Sequence, residues 1–180
     1  MVEVTWRGLE SGSTETCRVD ETAHGVRVDA VVRGDLGACA YTLTADAAWR
    51  FRTLRVRLGG RELRVEHHAT PGGDGAAWTV DGSERRDLDG AREVDLVASP
   101  LTNTLPIRRL GLAVGESADI TTAWVAVPEL TVVPDPQRYT RLSEREYRFE
   151  SRDSGFRRVI TVDEHGLVVD YPGLFARATG

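Results

Sequence analysis

The chain contains no lysine: its 23 Lys/Arg positions are all arginine. This is read as a compositional bias of the coding sequence, although an arginine-rich face would also suit carboxylate or phosphate recognition. Cysteines are almost as scarce. Cys17 and Cys39 are too few and too widely spaced for a disulfide scaffold, so two reduced thiols are expected. There is no C-x-x-C and no Cys/His group with zinc spacing, and no metal or other cofactor is expected. No segment approaches the roughly 18 consecutive apolar residues of a membrane-spanning helix, so stable membrane insertion is not expected. The opening run Met1-Val2-Glu3-Val4-Thr5-Trp6-Arg7 lacks a basic stretch followed by an apolar one, and the expected location is the cytoplasm. A net charge of −5 argues against a phosphate-backbone binder, so nucleic acid is not an expected partner. The sequence has no G-x-S-x-G elbow, no phosphate-binding P-loop and no G-x-G-x-x-G.

What is present is a soluble-domain composition with strand periodicity. The 180 residues, 41% hydrophobic and 28% charged, suit a single domain spanning 1–180 that buries roughly 70% of its unfolded surface. Apolar and polar residues alternate with period two in many segments, and long helical periodicity is missing. Val26, Val28, Ala30 and Val32 share one face of a strand whose other face carries Arg27, Asp29, Val31 and Arg33. Between Thr53 and Glu66 the pattern predicts a hairpin turning on Gly59-Gly60, where glycine accepts the positive φ of a two-residue turn. That turn fixes Leu54 opposite Val65, Val56 opposite Leu63, Arg57 opposite Glu62 and Arg55 opposite Arg64. The like-charge pair would be offset by the diagonal neighbours Glu62 and Glu66.

The last third reads as a meander through Tyr147–Glu150, Phe156–Asp163 and Leu167–Tyr171. Other strand candidates are 77–81, 93–98, 120–127, 130–133 and 138–142. The expected fold is mainly β: a single curved antiparallel sheet or open half-barrel of about 11–13 strands with one or two short helical turns. Pro71-Gly72-Gly73-Asp74-Gly75 is read as a loop. Ser99-Pro100 is a helix start, with Ser as N-cap and Pro at the first position. Pro106 is expected to end that turn, leaving 107–112 extended.

Candidate chemistry is sparse. His67 and His68 are adjacent in a strand and point to opposite faces, so they cannot share a metal there. Asp87, Asp89, Glu93 and Asp95 form an acidic stretch without calcium-loop spacing. Ser11, Ser13, Ser83 and Ser154 sit in turn contexts. Thr102-Asn103-Thr104 followed by Arg108-Arg109 combines hydroxyls, an amide and cations beside a helix start, groups that can bond sugar hydroxyls or an anionic head group. Trp6, Trp49, Trp78, Trp124, Tyr139 and Tyr171 could pack a core or line an apolar pocket.

The run Asp95-Leu96-Val97-Ala98-Ser99-Pro100-Leu101-Thr102-Asn103-Thr104-Leu105-Pro106-Ile107-Arg108-Arg109-Leu110 resembles the signature of the putative glycolipid-binding family of bacterial proteins. Gly25-Val26-Arg27, Tyr41-Thr42-Leu43, Trp49-Arg50, Gln137-Arg138-Tyr139, Tyr147–Ser151 and Tyr171-Pro172-Gly173-Leu174-Phe175 extend the resemblance over nearly the whole chain. That family is similar in fold to the periplasmic lipoprotein carriers, whose unclosed barrel surrounds an apolar cavity. The resemblance implies non-enzymatic binding of a lipid-like or other amphipathic ligand, a glycolipid by the family's description, in an apolar cavity of the curved sheet. Thr102, Asn103, Arg108, Arg109, Arg138, Tyr139 and Trp124 are the expected ligand-binding residues. Two other classes stay open: an enzyme acting on a small amphipathic molecule, with His67 or His68 beside Asp95, and a structural or protein-interaction module.

Overall fold

A computed structural model of the chain describes residues 1–69 and 76–178. The loop expected at Pro71–Gly75 lies outside the described residues. The first eight strands are β1 (Val2–Gly8), β2 (Thr14–Thr22), β3 (Gly25–Gly34), β4 (Gly37–Ala45), β5 (Phe51–Leu58), β6 (Arg61–Ala69), β7 (Ala76–Val80) and β8 (Ser83–Glu84). A 3-10 turn at Arg86–Leu88 leads to β9 (Ala91–Leu96), and a second at Pro100–Asn103 leads to α1 (Thr104–Leu110). The chain then forms β10 (Ser117–Val125), β11 (Val132–Arg141), β12 (Glu146–Ser151), β13 (Arg157–Val162), β14 (Val168–Tyr171) and β15 (Phe175–Arg177).

The fifteen strands of the described residues form one sheet in the order β8-β7-β6-β5-β4-β3-β2-β1-β15-β14-β13-β12-β11-β10-β9. The sheet is mainly β meander on both sides of the β1–β15 pairing, and it is not closed into a barrel. The expected curved open sheet is therefore present, with two differences. The strands number fifteen rather than 11–13, because β8 and β15 are too short to show an alternation. The sheet is also not wholly antiparallel: β9 and β10 are parallel, joined by the helical crossover. A parallel pair requires such a crossover, whereas an antiparallel pair needs only a turn.

The curvature follows from connectivity. β8 and β9 are consecutive in the chain, yet they are the two outer edges of the sheet. Only Arg85–Gly90 links them, a span of about 25 Å at most. The edges must therefore approach each other, and side chains bridge the seam between them. The Trp78 indole N–H donates to Ala91 O at 3.2 Å, and Arg85 Nη2 donates to Val132 O at 2.8 Å. Arg61 reaches the carbonyls of Pro128 and Glu129.

The register predicted for the Gly59-Gly60 hairpin is the register observed, and the diagonal Arg55–Glu62 ion pair forms at 2.8 Å. Ser99 caps as expected, its Oγ accepting from Leu101 N at 3.1 Å. The helix does not end at Pro106. α1 contains it in its first turn, where a missing N–H leaves no bond unmade, and the helix stops at Gly111 with φ 55°. β11 is continuous where two strands were expected. Pro134 and Pro136 lie in the part of β11 that pairs with β10 alone, so one side there has no ladder to complete.

Inward residues of β1–β6 form one core with Val94 and Leu96 of β9 and with Leu101 and Leu105 of the crossover. A second core gathers Tyr139, Tyr147, Phe149, Ile160 and Tyr171 around Ile107 of α1. Leu101 and Leu105 are each about 1% exposed. Burial on that scale is worth about 1.5–3 kcal/mol per side chain. The crossover thus occupies the hollow of the curved sheet and packs it with the chain's own side chains.

Candidate functional site

With the hollow packed, the open space lies at its rim, where two clefts adjoin. The first has a volume of about 530 Å³. Asp95, Trp124 and Val133 stand in one register row across β9, β10 and β11 and form one wall. Phe149, Phe156 and Tyr171 form the facing wall, with ring centroids 5.9 and 6.4 Å apart along the series. Asn103, Asp135, Asp153 and Ser151 supply polar groups.

The second cleft, about 490 Å³, is mostly apolar and is lined by Val32, Leu36, Cys39 and Val127. Val97, Leu174 and Phe175 belong to both clefts. Leu36 and Val97 are 59% and 41% exposed, so this trough keeps large apolar side chains in contact with water. Single exposed apolar residues are ordinary, but a contiguous set around a concavity is a feature of binding sites.

The polar end is held by a bonded network. Gln137 Nε2 donates to Asp95 Oδ2 and Asp135 Oδ2, both at 2.7 Å. Desolvation raises the Asp95 carboxyl to about 6, against the lowering effect of the Gln137 bond, and raises Asp135 as well. Thr102 Oγ1 lies 3.3 Å from Asp95 Oδ1 and accepts from Leu96 N at 3.2 Å. Asn103 Oδ1 accepts from the Tyr139 hydroxyl at 2.9 Å, and its Nδ2 donates to Pro100 O at 3.2 Å.

Behind the rim sits a buried carboxylate. Glu15 is 2% exposed, and its Oε1 accepts from the Tyr41 hydroxyl at 2.6 Å and Ser99 Oγ at 2.8 Å. Its Oε2 has no hydrogen-bond partner among the described residues. Desolvation raises this carboxyl to about 7, opposed by the two hydroxyl bonds. Glu15 pairs with Val32, and Val32 with Cys39, so the carboxyl stands one strand from the apolar cleft.

Of the expected ligand-binding residues, the structure gathers Asn103 and Trp124 at the first cleft, with Thr102 and Tyr139 directly bonded to its polar groups. The three arginines lie apart from it. Arg108 sits 5.0 Å over the Trp49 ring, bonding Glu21 Oε1 at 2.9 Å and His165 O at 3.1 Å. Arg109 pairs with the fully buried Glu93, and Arg138 lies 3.6 Å from Asp119. His67 stacks on Trp78 at 4.6 Å, and His68 is 3.7 Å from Glu66, while Asp95 bonds Thr102 and Gln137. The histidine–Asp95 juxtaposition that an enzyme reading would need is not among these contacts. Among the described residues no group of His, Cys, Asp and Glu could hold a metal ion, and no helix is long and apolar enough to cross a membrane.

Sequence reasoning did not single out Glu15 or Asp135, and it named Gln137 and Leu174-Phe175 only as parts of resembling segments, not as lining residues. Glu15 had a signal: it shares the inward parity of Cys17 and Val19 in β2, so a buried carboxyl could be read from alternation.

An almost fully wrapped sheet with an open seam, a helical crossover inside and an amphipathic trough at its rim defines a class of β-fold with a ligand-sized mouth. The model of the family described as "Putative glycolipid-binding" matches residues 3–177, and the chain belongs to that family. A crystal structure of a DUF1089-family protein from Pseudomonas aeruginosa is similar, at 34% identity and a TM-score of 0.73, covering 91% of this chain and 92% of that one. Comparison with curated proteins finds no match.

Proposed function

We propose that this chain binds an amphipathic, hydroxyl-bearing ligand of glycolipid type at the rim trough, without chemical turnover. The observation that carries the reading is the adjoining of a polar, aromatic cleft and an apolar one through Val97, Leu174 and Phe175. Carboxylates and an amide accept or donate hydrogen bonds to sugar hydroxyls, and the aromatic wall offers faces to the ring. The apolar cleft would take the start of an acyl chain, at about 0.8 kcal/mol for each methylene fully removed from water. Each cleft falls in the roughly 300–1,000 Å³ range of small-molecule sites. The family's description supports the glycolipid class.

Calorimetric titration with dodecyl maltoside below its micellar concentration tests the reading, with maltose as the head-only control. One-to-one saturable binding to the wild type is expected, with much weaker binding of maltose. Val97→Asp, an exposed position, should abolish the detergent's advantage over maltose. Absence of saturable binding, or equal affinity for the wild type and Val97→Asp, would overturn it.

A further inference from the structure

The outer face of β2–β6 carries a feature that the rim trough does not explain. It is concave, enclosing a groove of about 970 Å³. Its floor is built from small side chains, among them Thr16, Val31, Ala40 and Thr42. Its walls are arginines: Arg18, Arg27, Arg33, Arg55, Arg57 and Arg64, against Asp29 and Glu66. A chain with a net charge of −5 has thus collected six cations and two anions in one concavity.

The register shows how the groove is assembled. Arg18, Asp29, Thr42, Arg55 and Arg64 stand side by side across five neighbouring strands. At about 4.8 Å per strand the row is about 19 Å long. Internal pairing leaves much of its charge uncompensated. Asp29 is held by Arg27 in a bidentate bond at 2.7 and 2.8 Å. Glu62 alone serves both Arg55 and Arg57, at 2.8 and 2.9 Å. Arg18, Arg33 and Arg64 have no ion pair among the described residues, and Arg55 Nε has no hydrogen-bond partner. Arg55 and Arg64 are directly opposed like charges, an arrangement that destabilises a sheet by itself. The diagonal Glu62 offsets this opposition only in part, because it also serves Arg57, and a bound anion would supply the rest.

We propose that this groove binds a small multivalent oxyanion, a free phosphorylated or carboxylated polyol. Guanidinium forks match such oxygens in planar, bidentate geometry, and the Thr hydroxyls on the floor suit the intervening alcohols. The concavity favours a discrete molecule over a planar anionic bilayer, whose surface would meet only the walls. The groove lies on the outer face, whereas the trough opens at the rim, so the two sites test independently.

The experiment is titration of the whole chain with pyrophosphate and with citrate at low ionic strength, followed by calorimetry and by thermal shift. Saturable one-to-one binding is expected, with a rise in Tm. The double variant Arg55→Ser/Arg64→Ser removes the opposed charges, so it should fold at least as well, yet bind about tenfold or more weakly. Its rise in Tm with pyrophosphate should disappear. Sedimentation with phosphatidylglycerol vesicles is the second arm: co-sedimentation without pyrophosphate or citrate binding would overturn the proposal in favour of a membrane surface. Unsaturable, salt-like behaviour identical in wild type and variant would overturn it too, marking the face as merely solvated.

Discussion

Replacing Glu15 by glutamine should change how stability depends on pH, and the size of the change follows from the burial of the carboxyl. In the folded chain Glu15 ionises at about 7, against 4.5 for the free group, because desolvation outweighs the bonds from Tyr41 and Ser99. The folded value is the raised one, so the protonated carboxyl is the form that folding favours. As pH climbs above 4.5 the unfolded chain loses this proton first, and the folded state is penalised until its own carboxyl ionises near 7. The full penalty is about 3 kcal/mol, of which about 2.5 kcal/mol accrues between pH 5 and 8.

Glu15→Gln removes the titration and keeps an oxygen for Tyr41 and Ser99. Urea unfolding of both proteins at pH 5 and pH 8 is the assay. The wild type should lose about 2.5 kcal/mol relative to the variant over that interval. Subtraction cancels Asp95, Asp135 and Glu93, which are also raised by burial. In the wild type, the NMR resonance of the Leu101 amide, which donates to Ser99 Oγ, should shift with pH with a midpoint near 7 as Glu15 ionises. Parallel pH profiles for the two proteins would refute the reasoning, because they would mean that Glu15 has the same ionisation in both states.

Arg109→Ala should cost about 3–5 kcal/mol, because it strands the buried Glu93, and adding Glu93→Gln should recover part of the loss in the same denaturation assay. Trp78→Phe keeps a ring to stack on Phe51 but removes the indole bond to Ala91 O. A loss of about 1 kcal/mol is expected, with faster amide exchange in β7 and β9 beside the seam. Gly111→Ala meets no atom within 4 Å, so its cost of about 1 kcal/mol should come from the left-handed backbone alone. Dodecyl maltoside binding should weaken as pH falls through about 6, where Asp95 takes up a proton, and Asp95→Asn should flatten that dependence in calorimetry.

The fold was legible where the signal is local. Two-residue periodicity, the glycine pair and the Ser-Pro cap each act over a few residues, and each is found as expected. The parallel β9–β10 pair and the meeting of β8 with β9 depend on contacts that no local pattern encodes. Pro106 misled because proline ends a helix only where its N–H would have been used, and here it lies in the first turn of α1. At the candidate site, Thr102 and Asn103 were read as polar groups beside a helix start, and Trp124 and Tyr139 as aromatics that could pack a core or line a pocket; the structure brings the four close together. The three arginines were assigned by charge, and charge does not say which buried or neighbouring carboxylate will take it. Glu21, Glu93 and Asp119 take them here.

The packing of the crossover is the physical reason for placing the proposed site at the rim. A fifteen-strand sheet wraps more volume than the inward residues of its own strands fill, and a helix-containing segment of apolar parity enters the hollow. Expelling it to admit a ligand would re-expose Leu101 and Leu105, at about 1.5–3 kcal/mol each, and would break the Tyr139–Asn103 and Thr104–Gly166 bonds. A ligand at Val97, Leu174 and Phe175 displaces none of these and covers apolar surface that is already wet. Binding at the rim therefore begins from a lower free-energy cost than binding in the interior. The same crossover that fills the core also presents Asn103 and holds Ser99 on Glu15, so a bound head group and the Glu15 proton would act on one element.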